Sequence, residues 1–256
     1  MAIKSEVFET KVPEVTLLFW IIKILATTLG ETGGDTVTMT LNWGYLIGTG
    51  IFLIALVALV VLQIIAKKFH PVVYWAAIVA STTFGTTLAD YLDRSIGIGY
   101  TGGSSILFLS LMAVLGLWYQ SLGSISVKTV STPKVEVFYW TAITISQTLG
   151  TALGDWIADT SGLGYEKGAV VFAVGLGIIA AAYFWTHISR VLLFWAAFIL
   201  TRPLGATVGD FIDKPIDHGG LAWSRPVASL ILSAVIIACI LIFPQKAGQH
   251  SRKSTI

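Results

Sequence analysis

The chain reads as an all-α integral membrane protein: eight transmembrane helices built from four parallel two-helix repeats, with a pseudo-two-fold relation between its halves. Three observations predict this. Only 12% of the 256 residues are charged and mean hydropathy is +0.81, whereas a soluble domain carries about 25% charged residues. Uncharged runs at 45–66, 104–122, 168–185 and 226–243 approach the roughly 20 residues that cross a hydrocarbon core. One pattern also occurs four times: Trp20, Gly30, Asp35; Trp75, Gly85, Asp90; Trp140, Gly150, Asp155; Trp195, Gly205, Asp210. In every copy ten residues separate Trp from Gly and five separate Gly from Asp, a regularity that apolar composition alone does not produce.

Along the chain, the apolar segments fall at 14–35, 45–66, 71–92, 103–122, 135–157, 168–186, 188–211 and 226–244. The first, third, fifth and seventh carry the motif; the others are plain apolar helices. Lys4, Glu6, Glu9 and Lys11 precede the first apolar run, which argues against a cleaved signal peptide. Successive motif tryptophans lie 55, 65 and 55 residues apart, so the first half maps onto the second at an offset of 120. The longer middle interval holds the Ser/Thr/Lys-rich stretch 121–133, which divides the chain into halves 1–124 and 125–256. Fourteen residues after each motif glycine stands another, Gly44, Gly99, Gly164 or Gly219, followed in three copies by Tyr45, Tyr100 and Tyr165.

Ten of the sixteen Lys and Arg residues fall on the side of the N-terminus; the opposite loops hold Arg94, Lys167, Lys214 and Arg225, while Lys23 and Arg202 lie inside segments. Basic residues concentrate on the cytoplasmic side, so both termini are expected there. The four motif helices then all run from inside to outside, parallel rather than inverted. Near the cytoplasmic face, the motif tryptophans read as interfacial aromatic anchors.

Each motif helix carries small residues four apart, as in Ala26, Gly30, Gly34 and Ser146, Gly150, Gly154. Such columns let helix backbones approach closely in lipid; alternatively, the glycines mark breaks where backbone lines a cavity. Beside them runs a polar column: Thr28, Glu31, Asp35; Thr83, Thr86, Asp90; Thr148, Thr151, Asp155; and, departing from the rest, Pro203, Ala206, Asp210. Oxygen ligands of this kind suit Mg²⁺, Mn²⁺ or Ca²⁺. A lone cysteine, Cys239, and four histidines exclude a soft-metal thiolate site. The expected metal ligands are Glu31, Asp35, Asp90, Asp155 and Asp210, with Thr28, Thr83 and Thr148 as auxiliary oxygens. Four carboxylates converging at helix C-terminal ends repel one another unless a cation, a basic side chain or protonation neutralises them. Lys23 and Arg202 are the expected charge-compensating groups, each within salt-bridge reach of a motif carboxylate.

Four tandem two-helix units with a fixed tryptophan, covering about residues 14–244, resemble a bacterial integral-membrane repeat family of unknown function. The resemblance implies a bacterial inner-membrane location and a loose link with manganese export. Glu31-Thr-Gly-Gly-Asp35-Thr is also similar to the Glu-x-Gly-Asp motif of a separate manganese and calcium transporter family, with one extra residue. The expected function is a secondary transporter of a divalent cation, with Mn²⁺ exported against protons. A second reading is a transporter or channel for a small anion or polar organic solute, with Lys23 and Arg202 as counter-charges. The chain lacks a P-loop, a His-Glu-x-x-His and a Gly-x-Ser-x-Gly, so neither direct ATP use nor an enzyme is expected. No cofactor and no nucleic-acid partner are expected; the partners are the cation, protons and the lipid bilayer, and a homo-oligomer stays open.

Overall fold

In the computed structural model, which describes residues 5–253 and all their side chains except those of residues 5–8, 218 and 250–253, eight α-helices and one pair of strands follow the expected order. Lys4, Arg252 and Lys253, which enter the charge count above, lie outside the described side chains. The elements are β1 (Ser5–Pro13), α1 (Leu17–Asp35), α2 (Tyr45–Ile65), α3 (Pro71–Asp90), α4 (Tyr100–Leu122), α5 (Pro133–Asp155), α6 (Gly164–Trp185), α7 (Arg190–Asp213), α8 (Arg225–Ile242) and β2 (Ala247–Lys253). In the first three repeats a π-helical turn follows the motif aspartate, at Thr36–Thr40, Tyr91–Ile96 and Trp156–Thr160. The repeated second glycine ends this turn region. Gly44 and Gly99 sit at φ +77° and +76°, a conformation that costs a residue with a Cβ, and the next helix begins at the following tyrosine.

The helices form two layers. α1, α3, α5 and α7 make an inner ring in which each touches the next and α7 closes on α1. Outside it, α2 lies on α3, α4 on α5, α6 on α7 and α8 on α1, so each outer helix covers the inner helix of the following repeat. The apolar windows of α1, α3 and α7 are 61% to 72% buried, whereas those of the outer helices are 11% to 17% buried. Leu46, Ile54, Leu109, Ile178 and Leu230 are among the large apolar side chains left facing outward. Helices that are apolar all round and exposed require a hydrocarbon environment. Seven of the helices are long and apolar enough to cross a membrane, which makes this a multi-pass membrane protein. α5 falls below that composition: it carries Lys134, Glu136, Thr144, Ser146, Gln147, Thr148 and Thr151 and is enclosed by α3, α4 and α7.

The glycines show why the inner helices fit. A Cβ on Gly30 would meet the Thr82 side chain at 2.5 Å, and one on Gly85 would meet the Gln147 backbone at 2.9 Å. Gly150 abuts the Arg202 side chain in the same way, and Gly205 abuts Thr27. Thr27, Thr82, Gln147 and Arg202 each stand three residues before their own motif glycine, so one seat is used at all four junctions. The glycines lie within continuous helices; of the two readings of the small column, close packing is the one observed.

The tryptophans correct an expectation. Trp75, Trp140 and Trp195 are buried, and they pack around the ring instead of anchoring its rim. The aromatic residue before each motif tryptophan meets the next repeat's tryptophan. The centroid separations are 5.4 Å for Phe19–Trp75, 5.7 Å for Tyr74–Trp140, 6.5 Å for Tyr139–Trp195 and 5.7 Å for Phe194–Trp20. Each aromatic pair contributes about 0.5–1.5 kcal/mol beyond area burial, so the tryptophan spacing records a structural seal. Since the aromatic ends of the four inner helices meet one another, and their aspartate ends do likewise, the inner helices run parallel.

β1 pairs antiparallel with β2 at the aromatic end. Lys11 then reaches across, donating to Glu136 Oε1 at 2.6 Å and to the Ile64 carbonyl at 2.8 Å. The strands are an addition to the all-helical expectation. Their partners lie some 240 residues apart, as in Glu9 with Gln249, and neither strand carries a local turn signal.

Candidate functional site

All four motif aspartates end up buried at one end of the inner ring, each 1% to 3% exposed. Two basic residues from the expected outer loops, Arg94 and Lys214, each bridge a pair of them. Arg94 pairs with Asp90 at 3.0 Å and with Asp155 at 3.2 Å. Lys214 pairs with Asp210 at 3.0 Å and with Asp35 at 3.2 Å. The ring is thereby divided into two pairs of carboxylates, each bridged by one cation. A signal was available in the sequence: Arg94 and Lys214 both stand nine residues after their motif glycine, 120 residues apart, and four residues after an aspartate on a helix is salt-bridge spacing. Arg225 at the start of α8 adds a bond to Asp213 at 3.0 Å and lies 3.6 Å from Asp35.

One turn deeper the two sides differ. Glu31, Thr86, Thr151 and Ala206 occupy equivalent positions, one residue after the motif glycine. Arg202 reaches this level from α7 and is fully buried. Its Nη2 donates to Glu31 Oε2 at 2.9 Å, Thr86 Oγ1 at 2.6 Å and Thr151 Oγ1 at 2.5 Å. Arg202 therefore pairs with a carboxylate of the motif column, as expected. Lys23 does not, and this is a correction. Its Nζ lies 3.4 Å from Gln147 Oε1 and 4.1 Å from the centroid of the Phe198 ring, and no carboxylate is within ion-pair distance among the described residues. Lys23 precedes Glu31 by eight residues, about 12 Å along the helix, so the acidic level is out of its reach.

Of the expected ligands, Glu31, Asp35 and Asp210 come together: each offers an oxygen, and these oxygens lie within 4.8 Å of one another. Two carboxylate oxygens in this cluster are buried without a hydrogen-bond partner among the described residues: Asp35 Oδ1, and Asp210 Oδ1, which has only its ion pair with Lys214 at 3.0 Å. Asp90 and Asp155 lie in the other pair, under Arg94. Thr28, Thr83 and Thr148 donate to the carbonyls four residues back, of Ile24, Val79 and Thr144, at 3.0, 2.8 and 3.0 Å. Their hydroxyl protons are thus committed to their own helices, and Thr28 stands seven residues, about 10 Å, short of Asp35 along α1.

Three buried carboxylates in mutual contact are unfavourable without positive charge; Arg202 supplies it at Glu31, and Lys214, with Arg225 beside Asp35, supplies it at the two aspartates. Burial disfavours the Lys214 ammonium, but the carboxylates of Asp210, Asp35 and Asp213 outweigh this and hold its pKa well above the ordinary lysine value. The repeated tyrosines stand at the rim. Tyr45 OH accepts from Arg94 Nη1 at 3.4 Å, and the hydroxyls of Tyr100 and Tyr165 donate to Asp159 at 3.3 and 3.0 Å. Chemically, the Glu31–Asp35–Asp210 cluster is an all-oxygen, multiply anionic site of the kind that binds hard divalent ions.

Comparison with known proteins bears on the family. No curated protein and no solved structure matches the chain. The family model described as Repeat of Unknown Function (DUF347) matches four times, at residues 18–69, 73–123, 138–189 and 193–244. Each match opens within two residues of a motif tryptophan and spans one inner and one outer helix, so this chain belongs to that family of tandem membrane repeats.

Proposed function

We propose that this chain is a secondary transporter of a divalent metal cation, with Mn²⁺ the expected substrate, exported from the cytoplasm in exchange for protons. In this reading all eight helices cross a bacterial inner membrane, both termini are cytoplasmic, and the halves 1–124 and 125–256 are related by a pseudo-two-fold axis. One observation carries the reading: Glu31, Asp35 and Asp210 are buried with ligand oxygens within 4.8 Å of one another. Intramembrane carboxylates are costly to keep and mark ion or proton pathways.

Lys214 gives the site an ion-free state. Its ammonium bridges Asp35 and Asp210 and stands where a cation's charge would be needed. An arriving divalent ion takes over the two aspartates and Glu31, and the displaced lysine moves towards Asp213. Protons compete for the same oxygens, so acid on the far side favours release. Oxygen ligands without sulfur admit Mn²⁺, Mg²⁺ and Ca²⁺ alike, and flux measurements decide among them.

The test is a proteoliposome assay that follows Mn²⁺, Mg²⁺ and Ca²⁺ uptake alongside a pH-sensitive dye. The expected result is saturable Mn²⁺ flux with opposite proton movement, lost in Asp35→Asn. Metal-independent proton movement, or anion flux with no metal dependence, would overturn the reading.

A further inference from the structure

A groove of about 980 Å³ opens on the side of the bundle between α1, α6 and α7. Its walls are apolar: Trp20 and Ile24 from α1, Ile179 and Phe184 from α6, Phe194 and Ala197 from α7. At the end where the chain termini pair, three basic residues line its mouth, Lys128, Arg190 and Lys246, against one acid, Glu14. Arg190 is held at the mouth by the Tyr183 ring, 4.4 Å from guanidinium carbon to centroid. None of the three basic residues has an ion-pair partner among the described residues. On α7 the groove runs from Arg190 to Thr201. The eleven helical steps between them advance about 16 Å, half of the roughly 30 Å hydrocarbon core. The groove is therefore one leaflet deep, apolar along its length and positive at its mouth.

We infer that this groove is a binding site for one anionic phospholipid of the leaflet on the side of the termini. The phosphate rests among Lys128, Arg190 and Lys246, and an acyl chain lies between α1 and α6. Apolar walls alone would accept any lipid, and it is the unpaired basic mouth that selects an acidic headgroup. A basic side chain at a membrane surface favours an anionic lipid by about fivefold, so the three together, less the opposition of Glu14, give a preference of tenfold or more. The site is separate from the carboxylate cluster at the opposite end of the bundle, and its test does not depend on transport.

The experiment is native mass spectrometry of the full chain in detergent, supplied with equal amounts of phosphatidylglycerol and phosphatidylcholine of the same acyl chains. The expected result is one retained phosphatidylglycerol per chain, favoured about tenfold or more. The triple variant Lys128→Gln, Arg190→Gln, Lys246→Gln should lose the preference. Ala180 also lines the groove from α6; Ala180→Trp, which fills the apolar part and leaves the mouth intact, should lose retention of both lipids. Excess glycerol 3-phosphate should not displace the lipid. Equal retention of the two lipids by the unaltered chain, an undiminished preference in the triple variant, or displacement by glycerol 3-phosphate would each overturn the assignment.

Discussion

The two sides of the carboxylate ring start from the same motif and arrive at different chemistry. On one side Asp90 and Asp155 share Arg94, and the equivalent positions one turn deeper are Thr86 and Thr151. On the other, Asp35 and Asp210 share Lys214, and Glu31 lies in the same cluster. Arginine is a fixed charge with a planar fork that binds two carboxylates at once, whereas lysine is a compact point charge on a flexible stem. Two carboxylates under an arginine make a closed clamp whose cation stays in place. Two carboxylates under a lysine, with Glu31 held one turn deeper by Arg202, make a site from which the lysine's charge can be removed and replaced by a metal's. A repeat protein can thus use one copy of a junction as a strut and its counterpart as a site by changing three side chains at equivalent positions: Arg94 against Lys214, Thr86 against Ala206 and Thr151 against Glu31.

The largest effect expected concerns the charge balance at Glu31. Arg202 is wholly buried and pairs with it, and removing one member of a buried pair costs about 3–5 kcal/mol. Arg202→Met should lower thermal stability accordingly, and adding Glu31→Gln to it should recover a large part, because the orphaned charge goes too. If the double variant were as unstable as the single one, Arg202 would matter through packing against Gly150, and the contrast between the sides would lose its deepest element.

Next come the aspartates. Asp35→Asn is expected to reduce Mn²⁺ flux in proteoliposomes by about a hundredfold, equivalent to the roughly 2.7 kcal/mol of one lost charged ligand interaction. Asp90→Asn should leave flux within about threefold, because Arg94 keeps Asp155, and should act mainly on melting temperature. Equal flux losses in both variants would mean that all four aspartates serve the cation and the ring is not divided in function.

Exchanging the bridging cations tests the same division more finely. Lys214→Arg converts the open side into a second clamp, so flux should fall about tenfold, with stability unchanged or raised by about 1 kcal/mol. Arg94→Lys loses the fork and should lower stability by about 1 kcal/mol, with flux retained. Flux that falls in Arg94→Lys and survives in Lys214→Arg would reverse the assignment of strut and site.

Most of the architecture was legible because it is periodic. All eight segments, the glycine seats and the parallel course of the inner helices follow from spacings that recur four times. The site was less legible because it depends on the departures from that repeat. Arg94 and Lys214 occur in two copies of four, Glu31 in one and Arg202 in one, so a reading built on what the copies share passes over them. Lys23 was misplaced for a related reason: its charge suggested an acidic partner, but its level on α1 is set by the helical rise. The tryptophans, equally spaced and equally repeated, proved to be packing, since at each junction a large ring meets the aromatic residue of its neighbour.

The smallest effect is expected at the threonines that hold Arg202 on the strut side. Thr86 and Thr151 each accept one bond from its Nη2, and a hydrogen bond to a charged group contributes about 1.5–3 kcal/mol at most. Arg202 keeps Glu31 when either hydroxyl is lost, so Thr151→Val should cost less than this, about 1 kcal/mol in unfolding. Mn²⁺ flux should hold within about twofold, since the bond Thr151 Oγ1 makes is to Arg202 and not to a carboxylate of the Glu31–Asp35–Asp210 cluster. Thr151→Ser, which retains the hydroxyl, should behave as the unaltered chain in both measurements. A flux loss in Thr151→Val that stability does not share would show that the guanidinium must be aimed for Glu31 to serve the cation. In that case the strut side would set the geometry of the site across the ring, and the two sides would work as one device.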